Sequence, residues 1–220
     1  MIKLKRIKGV IFDADGTLLD SMQMWGRAEE EYLISLGVTP RPDLHDVLRS
    51  LGGHEVAKYF QVEYGVRKTA EEMSAGIYEM MGEFYAHRVP LKNGVVPVLE
   101  ALRTRGVRMC VATATDRPLI EPALRQHSIY GYFGKVFTCS DEKTSKSVPD
   151  IYLRAAAFLG TRVKETLVVE DALYAVRSAK SAGFPVAAVY DLSADSQRGE
   201  IEDLCDLYFE SLDGLLSYFE

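Results

Sequence analysis

Two hydrophobic periodicities divide this chain. From Asp20 to Arg88 apolar residues recur at helical spacing, and no run in that stretch reads as a strand. Met22, Trp25, Ala28, Tyr32, Leu33 and Leu36 predict one helix, entered at Asp20 with Gln23 three residues on and ended at Gly37. Leu44, Val47, Leu48 and Leu51 predict a second over Asp43 to Leu51, broken by Gly52-Gly53, and a third runs from His54 to about Tyr64. Thr69-Ala-Glu-Glu72 is a capping box ahead of a longer helix with Met73, Ile77, Met80, Met81, Phe84 and Tyr85 inward. The segment reads as a small helical bundle.

After Pro90 helices alternate with short apolar runs. Helices are predicted over Pro97 to Leu102, Pro118 to Gln126, Pro149 to Leu159 and Ala172 to Ala182; Gly106, Gly160 and Gly183 stop the first, third and fourth. Strands are predicted over Val107 to Ala112, Lys135 to Cys139, Thr166 to Val169 and Pro185 to Tyr190. These runs are apolar throughout and do not alternate with polar residues, which implies a parallel sheet covered on both faces. Gly9 to Phe12 has the same character and belongs to the sheet although the bundle interrupts it. The expected organisation is therefore a discontinuous α/β core, residues 1–19 and 91–220, with a helical insertion over 20–90.

Composition narrows the setting. With 220 residues and 47% hydrophobic content, there is enough chain for one good core plus an inserted piece. Four basic residues lie in Met1 to Lys8, but the apolar run behind them ends at Phe12, too short for a signal peptide, and no stretch approaches a membrane span. Cys110, Cys139 and Cys205 are odd in number, widely spaced and without neighbours at metal-ligand spacing, which points to reduced thiols and a cytoplasmic setting. A net charge of −6 argues against nucleic acid as a partner. Between Asp20 and Pro90 there are 12 acids and 7 bases, so the helical insertion carries most of that excess; Glu29-Glu30-Glu31 reads as a solvated helix face.

The chemistry gathers where strands end. Ligands of an open parallel sheet bind outside the carboxyl ends of its strands. Val10-Ile-Phe is followed by Asp13 and Asp15, the strand ending at Ala112 by Thr113, Ala114 and Thr115, and Leu167-Val-Val by Glu170 and Asp171. Like charges a few ångströms apart repel by roughly 4 kcal/mol per pair at an effective dielectric of about 20, so such a rim calls for a cation or a shared proton. Oxygen-only ligands suit Mg²⁺. Lys146, three residues before Pro149, can neutralise both a phosphate and a carboxylate, and Lys143 is the alternative.

Asp13-Ala-Asp-Gly-Thr17, Thr113, Lys146 within Lys-Ser-Val-Pro-Asp150, and Glu170-Asp171 resemble the four motifs of the haloacid dehalogenase superfamily, in its order and spacing. The branch they resemble is that of the β-phosphoglucomutase-like phosphatases, whose helical cap follows the first strand. The resemblance implies a Rossmann-like parallel sheet core with an inserted α-helical cap, and a phosphatase that acts on a small phosphorylated metabolite as a monomer. It implies that Asp13 is the nucleophile that becomes an aspartyl phosphate, and that Asp15 is the acid, then the base. Mg²⁺ is expected on the carboxylate of Asp13, the backbone carbonyl of Asp15 and the carboxylate of Asp171, with Glu170 beside it or reaching it through water. Thr113, the amide of Ala114 and Lys146 are expected to hold the phosphoryl oxygens.

For substrate choice the cap positions to search are Trp25, Arg49, Gly52, Gly53, His54 and Lys58. One alternative is a sugar phosphomutase of the β-phosphoglucomutase type, in which a histidine lies five residues past the acid matching Asp20. This chain has Trp25 there, and indole carries no basic nitrogen. Another, from a different class, is a phosphate-binding regulatory switch, but receiver domains carry their phosphoacceptor on a third strand and lack the helical insertion.

Overall fold

A computed structural model describes residues 6–48 and 53–218. The chain divides into two compact units, one made of Met1–Met22 and Val89–Glu220, the other of Gln23–Arg88.

In the first unit the apolar runs form β1 (Gly9–Phe12), β2 (Arg108–Thr113), β3 (Val136–Thr138), β4 (Thr166–Glu170), β5 (Val186–Val189) and β6 (Leu207–Phe209). They make a six-stranded sheet in the order β3-β2-β1-β4-β5-β6, and each neighbouring pair is parallel. β1 is central because it is apolar on both faces: Val10, Ile11 and Phe12 have no exposed surface, and Gly9 stands opposite both Arg108 and Thr166. From β1 the chain builds outward one way to β3, then from β4 the other way to β6. That reversal opens a crevice at the carboxyl ends of β1 and β4, where ligands of such sheets bind.

The second unit is helical throughout its described residues. It holds α1 (Met22–Trp25, which begins at the unit boundary), α2 (Ala28–Ser35), α3 (Leu44–Leu48), α4 (Gly53–Tyr64) and α5 (Ala70–His87). Its core gathers Tyr32, Leu33, Leu44, Ala57, Phe60, Val66 and Met73. The capping box forms as the sequence implies: Glu72 N–H donates to Thr69 Oγ1 (3.2 Å) and Thr69 N–H to Glu72 Oε2 (2.7 Å). Gly76 faces the ring of Tyr32, where a Cβ would come within 2.6 Å of its hydroxyl. One expectation fails. The helix predicted from Asp20 to Leu36 is interrupted at Gly26-Arg27, where glycine's freedom costs helix about 1 kcal/mol relative to alanine. Arg27 then pairs with Glu30 (2.8 Å) and Glu31 (3.1 Å), so part of the acidic run is held at the new helix start.

The remaining helices cover the sheet: α6 (Val95–Thr104), α7 (Arg117–Gln126), α8 (Cys139–Glu142), α9 (Asp150–Leu159), α10 (Leu173–Ser181) and α11 (Arg198–Leu204). One face of the sheet, with Ile11, Cys110, Ala112, Val168, Val186 and Ala188, packs on Ile151, Tyr152 and Ala155 of α9 and Val176 and Ala179 of α10. The strand expected to reach Cys139 stops at Thr138, whose side chain accepts from Asp141 N–H and so caps α8. Helix α11 and strand β6 have no counterpart in the sequence prediction. The three cysteines are free thiols. Among the described residues no helix is long and apolar enough to cross a membrane.

Gly94 precedes α6 with φ +83°, and a Cβ there would collide with the backbone of Asp213. Gly65 also has positive φ, +66°, but open space around it. Gly65→Ala is expected to cost about 1–2 kcal/mol through backbone strain alone, and Gly94→Ala clearly more. Urea midpoints of the two variants test this; equal losses would show that Asp213 yields freely.

Candidate active site

The turn after β1 fixes the two acids. Asp13 N–H donates to Val169 O (2.9 Å), continuing the β1–β4 ladder one residue past the strand, while Leu18 and Leu19 N–H both reach back to Ala14 O at 2.8 Å. Gly16 sits at φ +83°, and a Cβ there would run into the Asp171 carboxylate, so no other residue lets the turn pass so close.

The strand-end residues named from the sequence come together. Asp13, Glu170 and Asp171 each offer a carboxylate oxygen, all within 4.8 Å of one another, and all three side chains are buried. Lys146, also buried, pairs through Nζ with both Asp13 Oδ1 and Glu170 Oε1. Of the two candidate lysines the structure brings Lys146 to the cluster, whereas Lys143 closes α8 in a left-handed conformation and is exposed. Thr113, fully buried at the end of β2, accepts from Thr115 N–H (3.0 Å), and Ala114 lies between them.

Three partners carried no signal in the sequence for the contacts they make. Ser21 Oγ donates to Asp15 Oδ1 (2.6 Å) and Thr115 Oγ1 to Asp15 Oδ2 (2.7 Å), so both oxygens of that acid are held. Tyr152 OH donates to Glu170 Oε1 (2.8 Å). Thr115 is visible in the sequence only as a strand-end residue, Ser21 only as the neighbour of Asp20, and Tyr152 only as helix core.

Electrostatics make the cluster one system. Three carboxylates set against one ammonium leave two buried negative charges. Burial pushes Asp13 up to about 8, opposed by Lys146 and aided by Glu170 and Asp15. Burial also drives Asp171 well above the carboxylate range, with the charges of Asp13 and Glu170 adding to it. For Lys146 burial works against the charge, but Asp13 and Glu170 outweigh it and hold the ammonium well above its ordinary range. A hard dication fits this donor set on two counts: it balances the two charges, and it can take Glu170 Oε2, which is buried and without a hydrogen-bond partner among the described residues.

The candidates for substrate choice belong to the helical unit. Trp25 Nε1 donates to Tyr85 OH (2.7 Å) with ring centroids 6.3 Å apart, so the indole is engaged within that unit. Lys58 is exposed on α4, Gly53 and His54 open that helix, and Arg49 and Gly52 lie outside the described residues.

Comparison with known proteins agrees with this geometry. The model of the haloacid dehalogenase-like hydrolase family matches residues 10–189. Hexitol phosphatase A of Escherichia coli (strain K12) is 30% identical over 204 residues, covering 90% of each chain. The phosphorylated carbohydrates phosphatase of Thermotoga maritima is 25% identical, covering 80% of this chain and 82% of that protein. In fold, the crystal structure of CbbY from Rhodobacter sphaeroides in complex with phosphate superposes with a TM-score of 0.73 at 23% identity, covering 97% of this chain and 99% of that one. The chain belongs to the haloacid dehalogenase-like hydrolase family. Within it, the enzyme is a phosphatase.

The charge state of Asp13 has a measurable consequence. Its pKa in the metal-free protein is raised, so the carboxyl holds a proton below about pH 8 that a bound cation must displace. Affinity for a divalent cation is therefore expected to rise from about pH 6 through about pH 8, with proton release from Asp13 and Asp171 on binding. Calorimetric titrations in buffers of different ionisation enthalpy measure both. An affinity independent of pH over that interval would contradict the assignment.

Proposed function

We propose that this enzyme is a Mg²⁺-dependent phosphatase that hydrolyses a small phosphorylated metabolite through an aspartyl phosphate on Asp13. The observation that carries the reading is the buried group of Asp13, Glu170 and Asp171 around Lys146, with Asp15 held beside it by two hydroxyls.

Asp13 lies at the end of the central strand, ionic partner to Lys146, and can offer its second carboxylate oxygen to phosphorus. As the bond from that oxygen to phosphorus forms, the bond to the leaving alkoxide breaks, and Asp15 gives the alkoxide its proton. In the second half Asp15 takes a proton from water, water oxygen bonds to phosphorus, and the bond to Asp13 breaks to free inorganic phosphate. One residue thus serves both halves, as acid and then as base. Ser21 and Thr115 aim Asp15 through both of its oxygens. Lys146 and the Thr113 hydroxyl, with the amide of Ala114, are suited to hold the equatorial phosphoryl oxygens. Asp13, Glu170 and Asp171, with the backbone carbonyl of Asp15, would hold the Mg²⁺, which when bound neutralises charge on the phosphate.

Sugar and polyol phosphates are the substrate class we favour, because relatives named for hexitol phosphates and phosphorylated carbohydrates align over most of the chain. Hydrolysis is favoured over mutase chemistry because Trp25 occupies the sequence position, five past Asp20, at which the resembled mutases carry a histidine, and its only polar hydrogen is given to Tyr85.

A panel of sugar and polyol phosphates, assayed with and without Mg²⁺, tests the reading. Phosphate release is expected to need the metal, to vanish in Asp13→Asn, and to fall roughly 10²- to 10⁴-fold in Asp15→Asn. Undiminished turnover in Asp13→Asn would refute covalent catalysis. Net conversion of β-glucose 1-phosphate to glucose 6-phosphate, with catalytic 1,6-bisphosphate, outpacing phosphate release would refute the preference for water.

A further inference from the structure

Glu170 approaches the cluster from the face of the sheet that packs on α9 and α10. Successive side chains of a strand point to opposite faces of the sheet, and Val168 of β4 points into the apolar layer that packs against α9 and α10. Glu170, two residues on, falls on that same face and has no exposed surface. The residue that meets it there is Tyr152, in the first turn of α9. Its ring is fully buried, lies 6.3 Å from that of Phe184, and is part of the apolar layer.

The two oxygens of Glu170 are treated unequally. Oε1 takes both donors, the Tyr152 hydroxyl at 2.8 Å and the Lys146 ammonium. Oε2 is buried and takes none among the described residues. A buried carboxylate oxygen without a partner forfeits its hydration for nothing. With two donors on Oε1, Oε2 is left open, and in a cluster of acids a cation is a partner that suits it. Packing alone does not ask for the hydroxyl, since phenylalanine fills the same space without burying a polar atom.

We propose that Tyr152 is a positioning residue for the cation site: with Lys146 it holds Glu170 Oε1, fixes the carboxylate, and so reserves Oε2 as a ligand atom. Partners that orient a metal ligand in this way commonly change metal affinity tenfold or more when removed. The proposal rests on the reading of the acidic cluster as a Mg²⁺ site and adds to it a residue drawn from the helix layer beneath the sheet.

The test is a double-mutant cycle read by Mg²⁺ binding, not by turnover. Full-length chains stripped of metal are titrated with Mg²⁺ by calorimetry at fixed pH, with circular dichroism to confirm folding. Tyr152→Phe is expected to weaken Mg²⁺ binding by about tenfold. In a Glu170→Gln background the same change is expected to add less than about twofold, because the residues act as one unit. A hydroxyl that merely stabilises the core would weaken binding equally in both backgrounds, or not at all, and either result overturns the proposal. Failure of Tyr152→Phe to fold would overturn it too, since the ring is held to pack independently of its hydroxyl. No Mg²⁺ binding by the unaltered chain would defeat both this proposal and the metal reading. Mg²⁺ binding with the expected coupling, but no phosphate release from any ester, would defeat only the proposed function.

Discussion

The constraint on which the rest of the molecule depends is the buried Lys146 ammonium shared between Asp13 and Glu170. Removing charges from water costs several kcal/mol per ion, and their attraction offsets this only when geometry is good and remaining lone pairs are served. Here one ammonium faces three carboxylates, so the balance is incomplete by two charges. The metal-free protein meets the shortfall by raising the proton affinity of Asp13 and Asp171. A dication meets it without protons. The imbalance is thus what makes the site a site: the fold holds in place a charge arrangement that calls for protons or a cation.

Holding it requires parts from distant stretches of chain. Asp13 hangs from β1, Glu170 and Asp171 from β4, Thr113 from β2, and Lys146 arrives from the loop between α8 and α9. They meet because β1 lies between β2 and β4 with the three strands in parallel register, so all three end at the same rim. Gly16 lets the β1 turn pass Asp171, and α9 sends Tyr152 up beneath the sheet to Glu170. Rigid strands supply the acids, and the hydroxyls of Ser21, Thr115 and Tyr152 set their orientation.

Much of this was legible in the chain, for physical reasons. Asp13 and Asp15 end a strand too apolar to sit anywhere but the sheet centre, and Glu170-Asp171 end another, so the acids could be placed on one rim before any coordinates. Spacing left Lys146 and Lys143 both open; the structure brings Lys146 into the cluster and leaves Lys143 exposed, which depends on how the loop packs. Ser21, Thr115 and Tyr152 were illegible in these roles because hydroxyls are common and their partners lie 6, 100 and 18 positions away. The break at Gly26-Arg27 was missed because the apolar spacing continues across it, and β6 because a run of three residues carries too little pattern to stand out. Within the helical unit, Trp25 is a candidate for substrate choice from the sequence, and in the structure its Nε1 donates to Tyr85 OH.

The most direct test of the central claim is a crystal structure of the chain with Mg²⁺ and beryllium fluoride, which mimics a phosphoryl group on a carboxylate. The expected result is a fluoroberyllate bonded to one Asp13 oxygen, Lys146 turned to its fluorines, and Mg²⁺ held by Asp13, Asp171 and Glu170 Oε2. A cation bound elsewhere, or a fluoroberyllate absent from Asp13 at saturating concentrations with Lys146 still locked between Asp13 and Glu170, would contradict it.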